Sequence, residues 1–372
     1  MVKLAAATWV SIALAAGFLA PASRADDGNV GLVEVTPRAE AAIRAGLDYL
    51  ASKQVVDPKD PEQGYWVEMI GRKVNDEYRG HMGRHVGVTA LACMAFLSNG
   101  STPGRGPYGE QVARGLNFLL ARVNKDDGFI TADESRMYEH AFATLFLAEV
   151  YGMTADDRIR PKLQQAVDCI VRAQNHYGGW RYLPGSKDSD MSITVCQVQA
   201  LRAARNVGIY VPRGTIDAAI AYVKASFIDE TYPNPAYRGG FWYQVIDQPF
   251  RSSRTSFPLT AAGVTALYGA GEYDSREVEE GLKFLFHPRW RPPEWRAQSS
   301  FDYYYGHYYA AQAFYQAGGA YWREWYPDIR EEMLKWQHQE GYWQDLVGRN
   351  YATAMACIIL QLPYRYLPIL ER

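Results

Sequence analysis

The chain has few cysteines and little excess charge of either sign. Its 372 residues include four cysteines, whose spacing matches neither a disulfide framework nor a paired-cysteine metal site. We therefore predict that Cys93, Cys169, Cys196 and Cys357 are small buried core residues. The formal charge of −2 argues against the concentrated basic face that nucleic-acid binding normally needs, so no nucleic-acid partner is expected.

Long apolar segments are also lacking, except at the start of the chain. Residues 1–25 have the pattern of a secretory signal peptide, with an apolar Ala/Leu run and a small-x-small cleavage pattern ending at Ala25. The sequence therefore predicts export to the periplasm or the extracellular space, the alternative being a retained membrane anchor. No later segment could span a bilayer. Residues 26–36 are expected to be a loose lead-in, and residues 37–372 a single domain whose first helix is capped by Thr36.

Aromatic residues and a repeated helical pattern dominate the rest of the sequence. Aromatic residues make up 14% of the chain, with 27 Tyr and 10 Trp, and many stand beside glycine in turns. Six segments share an apolar helical core, typified by Gly-Leu-x-aromatic-Leu at residues 46–50, 115–119 and 281–285. A repeat of this length is one supersecondary unit that stacks on its neighbours.

A second, more apolar helix follows each repeated core. These segments are rich in Ala, Thr and Gly and nearly apolar on every side, which is typical of buried helices. They cover residues 86–97, 138–151, 192–206, 256–268, 305–317 and 350–362. The first helix of each pair carries more charge and belongs outside, and strand signals are sparse. The sequence therefore predicts an all-α fold, an α/α toroid of six inner and six outer helices built from six helical hairpins.

Three of the turns between paired helices carry a Gln–Gly–Trp pattern. The residues are Gln174, Gly178 and Trp180, then Gln337, Gly341 and Trp343, and, with an insertion, Gln54, Gly64 and Trp66. The chain thereby resembles the repeat proteins of the terpenoid cyclase and protein prenyltransferase superfamily (prenyltransferase and squalene oxidase repeats with their QW motifs). The resemblance implies an α/α toroid. The Gln amide is expected to satisfy open backbone groups at a helix end, and the Trp to pack over the turn.

The N-termini of the inner helices should surround one mouth of a central cavity. Their N–H groups favour anions and tune acids, and a concave pocket with convergent polar groups is the expected site. The candidate catalytic residues are Asp188, Asp190, His140, Asp302 and His307, and the candidate ligand-binding residues are His85, Glu139, Arg254, Tyr305, Arg349 and Asn350.

Asp190 has the most specific motif context. In the class II terpene cyclases, the middle Asp of an Asp-x-Asp-Asp motif that opens an inner helix protonates an alkene. The resemblance therefore implies that Asp190 could be such an acid. Asp188 and Asp190 match the first two acids, but Met191 replaces the last one. The alternative interpretation is that Asp190 is the N-cap of an apolar helix.

The zinc site of the protein prenyltransferases is not retained either. Tyr309 and Ala311 stand where the resemblance implies the Asp and Cys ligands, and Ala352 stands near the expected His. We therefore predict no metal and no cofactor.

Three functions are compatible with this sequence. The first is an exported protein that binds an apolar or polymeric ligand in an aromatic central cavity, with the family catalytic motifs not intact. The second is a cyclase-like enzyme that uses Asp190 as its acid. The third is a polysaccharide lyase or hydrolase, with His140 and Glu139, or His307 and Asp302, as an acid–base pair. The sequence leaves open whether the protein is an enzyme.

Overall fold

A computed structural model describes residues 35–74, 77–245, 254–290 and 302–370. Within these ranges the chain forms twelve α-helices and four β-strands. The odd-numbered helices are α1 (Pro37–Lys53), α3 (Gly109–Ala121), α5 (Ile159–Ala173), α7 (Arg213–Ala225), α9 (Arg276–Phe286) and α11 (Gly319–Trp336). The even-numbered helices are α2 (Val86–Leu97), α4 (Met137–Met153), α6 (Met191–Asn206), α8 (Phe257–Ala270), α10 (Tyr303–Ala317) and α12 (Arg349–Gln361). The strands are β1 (Val55–Asp57), β2 (Asp60–Tyr65), β3 (Val67–Val74) and β4 (Glu77–Arg84).

The even-numbered helices pack side by side in a closed inner ring. α2 contacts α4, α4 contacts α6, and the series continues through α8, α10 and α12 back to α2. The odd-numbered helices form the outer layer, and α1 packs on α12 and α11, which closes that layer as well. The predicted α/α toroid is confirmed, and the inner helices begin and end within two residues of the predicted limits. None of the helices in the described ranges is both long and apolar enough to cross a membrane.

Glycine lets the outer helices α3 and α9 approach their inner partners closely. A Cβ added to Gly115 of α3 would lie 2.3 Å from the Cys93 Sγ on α2. One added to Gly281 of α9 would lie 2.5 Å from the Val264 Cγ2 on α8. The glycine of the repeated core is therefore required by helix packing, because a close-packed interior leaves no room for another carbon.

Each Gln–Gly–Trp turn joins three helices. The Trp180 Nε1 donates to the Ile170 carbonyl of α5 (2.7 Å), and the Trp180 backbone N–H donates to the Thr194 hydroxyl of α6 (3.2 Å). The Gln174 Nε2 donates to the Thr215 carbonyl at the start of α7 (2.9 Å). The indole bond satisfies a carbonyl in the last turn of α5, which a helix end leaves open. The carbonyl that Gln174 contacts lies in the first turn of α7, where carbonyls already have helical partners, so this Gln bond joins two helices and does not fill an open helix end as expected.

The same bonds recur in the first and last turns. In the first turn, the Trp66 indole donates to the Leu50 carbonyl, its backbone N–H donates to the Thr89 hydroxyl, and Gln54 donates to the Gln111 carbonyl. In the last turn, the Trp343 indole donates to the Met333 carbonyl, its backbone N–H donates to the Thr353 hydroxyl, and Gln337 donates to the Ala42 carbonyl. Because Ala42 belongs to α1, the Gln337 bond joins the last outer helix to the first. The inner-helix threonines are partners that the sequence pattern did not reveal.

Two β-hairpins between α1 and α2 depart from the predicted all-helical pattern. β1 pairs with β2 and β3 with β4, both antiparallel. Gly71 and Gly80 stand opposite each other in the second hairpin, and a Cβ on either would lie within 2.3 Å of a backbone oxygen of the partner strand. Neither hairpin buries a continuous face, so the strands lack the alternation of apolar and polar residues that predicts a strand.

Of the predictions for the N-terminal region, only the cap of α1 falls within the described residues. Thr36 caps this helix by accepting the Ala39 N–H (3.2 Å), as predicted. The predicted signal peptide, residues 1–25, and most of the lead-in lie outside the described residues. The four cysteines are all buried and free, which confirms the prediction of small core residues.

A column of polar contacts between α6 and α10 fills the half of the ring far from the inner-helix N-termini. The contacting pairs are Cys196 with Tyr309, Gln199 with Gln312, and Arg202 with Gln316. A C-terminal turn, Pro368–Leu370, contacts the same two helices. The interior of the toroid is therefore filled on this side.

Candidate functional site

A cavity of about 510 Å³ lies among the N-termini of the inner helices. All six inner helices contribute residues to its wall, and the β3–β4 hairpin adds Gly71, Arg72 and Tyr78. This volume suits a small organic ligand or one part of a polymer. The expectation that polar residues of successive repeats meet at one end of the ring is therefore fulfilled.

Six tyrosines form much of the cavity wall. They are Tyr78, Tyr138, Tyr182, Tyr243, Tyr305 and Tyr351. Tyr138 donates to the Ser192 Oγ (2.5 Å), and Tyr305 donates to the Ser192 carbonyl (3.0 Å). Burial raises the pKa of Tyr138 and of Tyr305 well above the ordinary tyrosine value, so both hydroxyls stay protonated at neutral pH. The wall therefore offers aromatic faces and neutral O–H groups together.

His85 and Glu139 face each other across part of this cavity. The His85 Nδ1 accepts the Val88 N–H (3.2 Å), so in the neutral ring the proton lies on Nε2. Burial lowers the pKa of His85, and the negative charge of Glu139 only partly opposes this, which keeps the ring neutral at pH 7. The His85 Nε2 lies 3.9 Å from the Glu139 Oε1. The other carboxylate oxygen, Oε2, accepts the Arg136 backbone N–H (2.8 Å), which fixes the side chain.

Three arginines line the cavity without a carboxylate partner. They are Arg72 on β3, Arg136 at the start of α4, and Arg254 before α8. Across the described ranges, no ion pair involves any of these guanidinium groups. Arg254 lies over the Tyr243 ring at 4.1 Å, and Arg136 over the Tyr182 ring at 5.7 Å, which orients both groups.

Asp190 is fully buried and does not line the cavity. Its Oδ1 accepts from the Ser192 hydroxyl (2.5 Å) and from the Ile193 N–H (2.9 Å), and its Oδ2 accepts from Arg181 and from the Tyr243 hydroxyl (3.1 Å). The N-cap interpretation is therefore confirmed. Four donors around one carboxylate are the surroundings of a charged structural group, which differs from those expected of an acid that delivers a proton into the cavity.

Asp188 and the two candidate catalytic histidines also lie outside the cavity wall. Asp188 is paired with Arg181 (3.1 Å) on a half-exposed loop. His140 is buried against α5, where its ring nitrogens contact the Ile130 N–H (3.0 Å) and the Ala166 carbonyl (3.1 Å). His140 does not line the cavity, although its helical neighbour Glu139 does. The expected pairing of these two residues as acid and base is corrected accordingly.

His307 belongs to the aromatic core beside α11. Its ring lies 5.2 Å from the Phe257 ring and 5.9 Å from the Trp325 ring, and burial lowers its pKa to about 3. Asp302 does line the cavity, one turn earlier on the chain. The expected acid–base pairing of His307 with Asp302 is therefore also corrected.

Arg349 and Asn350 lie beside the cavity and do not line it. The Glu68 carboxylate of β3 accepts the Asn350 N–H (2.9 Å), and the Asn350 amide donates to the Val67 carbonyl (3.2 Å), so the hairpin is attached to α12. Burial raises the pKa of Glu68 to about 7. Arg349 lies over the Tyr342 ring at 4.4 Å.

The cavity thus brings together five of the predicted residues. They are His85, Glu139, Arg254, Asp302 and Tyr305. Sequence reasoning missed Arg72 and Tyr78, which reach the cavity from the unpredicted hairpin. It also missed Arg136, although this residue directly precedes an inner helix and satisfies the rule that selected the others.

The toroid is similar to solved structures of proteins with several activities. It matches a cellobiose 2-epimerase from Bacillus thermoamylovorans with a TM-score of 0.60, 14% identity, and coverage of 87% of this chain and 98% of that chain. It matches a type II terpene cyclase from Scytonema with a TM-score of 0.59, 12% identity, and coverage of 89% and 98%. It matches a family 76 glycoside hydrolase, a mannosidase from Bacteroides thetaiotaomicron, with a TM-score of 0.59, 10% identity, and coverage of 88% and 97%.

At these identities the likeness shows the fold alone, an α/α toroid. No protein-family model and no curated protein sequence matches the chain. Among the residues that the structure describes, no group of three His, Cys, Asp or Glu side chains is arranged to hold a metal ion.

Proposed function

We propose that the protein is a carbohydrate-active enzyme of the central cavity, in which Glu139 removes a proton from a bound sugar. The observation that carries this proposal is the pair of His85 and Glu139, whose Nε2 and Oε1 atoms lie 3.9 Å apart inside a tyrosine-lined cavity. Export after signal cleavage belongs to the same proposal, since polysaccharides are available outside the cell.

The two side chains supply complementary groups. Glu139 has one oxygen held by a backbone N–H, and the other oxygen is oriented toward His85 to act as a general base. The neutral His85 ring offers its Nε2–H as a hydrogen-bond donor to an oxygen that gains negative charge. A base and a neutral donor of this kind suit removal of a proton from a carbon next to a carbonyl or carboxylate.

Sugar epimerisation and β-elimination of uronates share this step. The proton taken by Glu139 returns to carbon in an epimerisation, or passes to the leaving glycosidic oxygen as the C–O bond breaks in an elimination. Neither reaction needs a further reactant.

A saccharide suits the wall better than an apolar chain. Tyrosine rings pack on sugar faces while their hydroxyls meet sugar hydroxyls, and the charged residues Glu139, Asp302 and Arg136 would be desolvated at high cost by a hydrocarbon. Two of the structural neighbours, the epimerase and the mannosidase, are named for activities on sugars, although the terpene cyclase shares the fold equally well.

The test is hydrogen exchange and product formation in D₂O, followed by proton NMR, on a panel of neutral and uronate oligosaccharides. Glu139→Gln keeps an oxygen for the Arg136 N–H and is expected to reduce turnover by about 10²- to 10⁴-fold. Glu149→Gln, the same change further along α4 and away from the cavity wall, is the matched control.

If the Glu139→Gln variant kept a turnover within about twofold of the wild type, Glu139 would not be the general base, because a general base contributes about 10²-fold or more. If a saccharide bound but neither hydrogen exchange nor product appeared, the catalytic part of the proposal would be refuted and the protein would be one that binds saccharides. No binding of any saccharide would refute the proposed function itself.

A further inference from the structure

We infer that the sugar bound in this cavity is an anionic oligosaccharide that carries carboxylates, and that Arg72, Arg136 and Arg254 select it. This inference rests on the proposed function and adds the substrate class.

Some arginines elsewhere in the toroid are paired with acids, whereas others, such as Arg205 and Arg349, are not paired within the described ranges. Examples of the ion pairs are Arg84 with Asp133 (2.6 Å) and Arg158 with Asp156 (2.6 Å). Arg181, just behind the cavity wall, is paired with both Asp188 and Asp190. The three cavity arginines have no such partner among the described residues, although Glu139 and Asp302 line the same cavity. A guanidinium that faces a cavity without a carboxylate is available to bind one from a ligand, in bidentate geometry.

The charge of the lining points to the same ligand. Three arginines and two carboxylates, with His85 neutral, give the described wall a net charge of 3 − 2 = +1. The inner helices add the positive ends of their dipoles at this mouth. Since Arg72, Arg136 and Arg254 lie on separate elements around the ring, an oligomer with an anionic group on successive sugars would contact more of them than a single anion could.

The position of Arg136 favours a carboxylate over a sulfate. Arg136 and Glu139 lie in the same turn at the start of α4, and the Arg136 N–H holds the Glu139 carboxylate (2.8 Å). A sugar carboxylate on the Arg136 guanidinium would bring its neighbouring C–H toward the Glu139 Oε1. A carboxylate acidifies that C–H, whereas a sulfate ester does not give the base a comparable proton.

The experiment compares binding of matched charged and uncharged ligands by isothermal titration calorimetry. The charged probes are tetramers of galacturonate, glucuronate, mannuronate and guluronate, and the uncharged probes are the same tetramers with methyl-esterified carboxylates. Sulfated neutral tetramers form a third arm. We expect at least one uronate tetramer to bind about tenfold or more tightly than its ester, as loss of a charged hydrogen bond implies.

Replacement of each cavity arginine tests whether it binds the sugar carboxylates. Arg72→Gln, Arg136→Gln and Arg254→Gln are each expected to weaken binding of the uronate by about fivefold or more while leaving binding of the ester unchanged. Arg205→Gln, an exposed arginine at the opposite end of α6, is the matched control and should change neither.

Equal affinity for the uronate and its ester would overturn the inference and leave the proposed function intact. Binding of the sulfated arm alone would overturn the assignment of a carboxylate. Binding of neutral saccharides alone would overturn the anionic class, and binding of none of the three arms would overturn the proposed function together with it.

Discussion

Replacement of Asp190 by Asn tests whether this residue is a structural cap or a catalytic acid. Asp190 is fully buried, and its carboxylate accepts from four donors, one of them the Arg181 guanidinium. Asn keeps an oxygen for the Ile193 N–H but removes the negative charge. We therefore expect the protein to fold with lower stability, because the Arg181 charge loses its buried partner.

The magnitude follows from the burial of the pair. Removing one partner of a buried ion pair costs about 3–5 kcal/mol, and here Arg181 keeps Asp188 as a second partner, so we expect about 3 kcal/mol. At about 2.1 cal/mol/K per residue, a toroid of roughly 340 residues unfolds with an entropy of about 0.7 kcal/mol/K. The expected decrease in melting temperature is therefore about 4 °C.

Calorimetry and urea unfolding of Asp190→Asn and Asp188→Asn provide the assay. The Asp188 side chain pairs with the same Arg181 but is 43% exposed, so its change should cost less than about 1 kcal/mol. An unfolding free energy for Asp190→Asn within about 0.5 kcal/mol of the wild type, or equal losses in both variants, would refute the structural interpretation. A catalytic acid would instead give lost turnover with unchanged stability.

Three further predictions concern packing, ring closure and pH. Gly115→Ala places a Cβ 2.3 Å from the Cys93 Sγ and should lower the unfolding free energy by about 1–3 kcal/mol in calorimetry. Gly214→Ala, which meets nothing within 4 Å, should be neutral or stabilising by less than about 1 kcal/mol, and equal losses would contradict this account. Gln337→Leu removes one hydrogen bond that joins α11 to α1 and one within the turn, and should cost about 1–3 kcal/mol in urea unfolding, whereas an unchanged midpoint would contradict it. Burial raises the folded pKa of Glu149 to about 7, so its contribution is present below the unfolded pKa near 4.5 and is lost as the pH rises through about 7. Glu149→Gln should therefore gain stability relative to the wild type between about pH 5 and pH 8, and parallel pH profiles in thermal unfolding would contradict this.

The toroid could be predicted from the sequence because its signals are local and repeated. A helix that is apolar on every side has to be buried, and six of them paired with amphipathic helices leave few architectures. The β3–β4 hairpin could not be predicted, because its strands pair through glycines and polar residues and bury no continuous apolar face. Arg72 and Tyr78 were missed for that reason, since both reach the cavity from this hairpin.

The location of the site could be predicted from the sequence, but not which side chains at that location face the cavity. The rule that inner-helix N-termini share one mouth correctly selected His85, Glu139 and Arg254. It could not separate Glu139 from His140, because neighbouring residues on a helix face different directions and the sequence does not fix the helix rotation. Only the packed structure distinguishes the residue in the cavity from the one that contacts α5.

The arginines separate a sugar site from a terpene cyclisation site. Tyrosine rings suit both, because a π face stabilises a carbocation and also packs on a sugar ring. Three guanidinium groups around the same cavity, unpaired within the described ranges, would repel a cationic intermediate. The same groups attract a carboxylate. The electrostatics of the wall therefore favour an anionic saccharide, even though the fold is shared with proteins of both kinds.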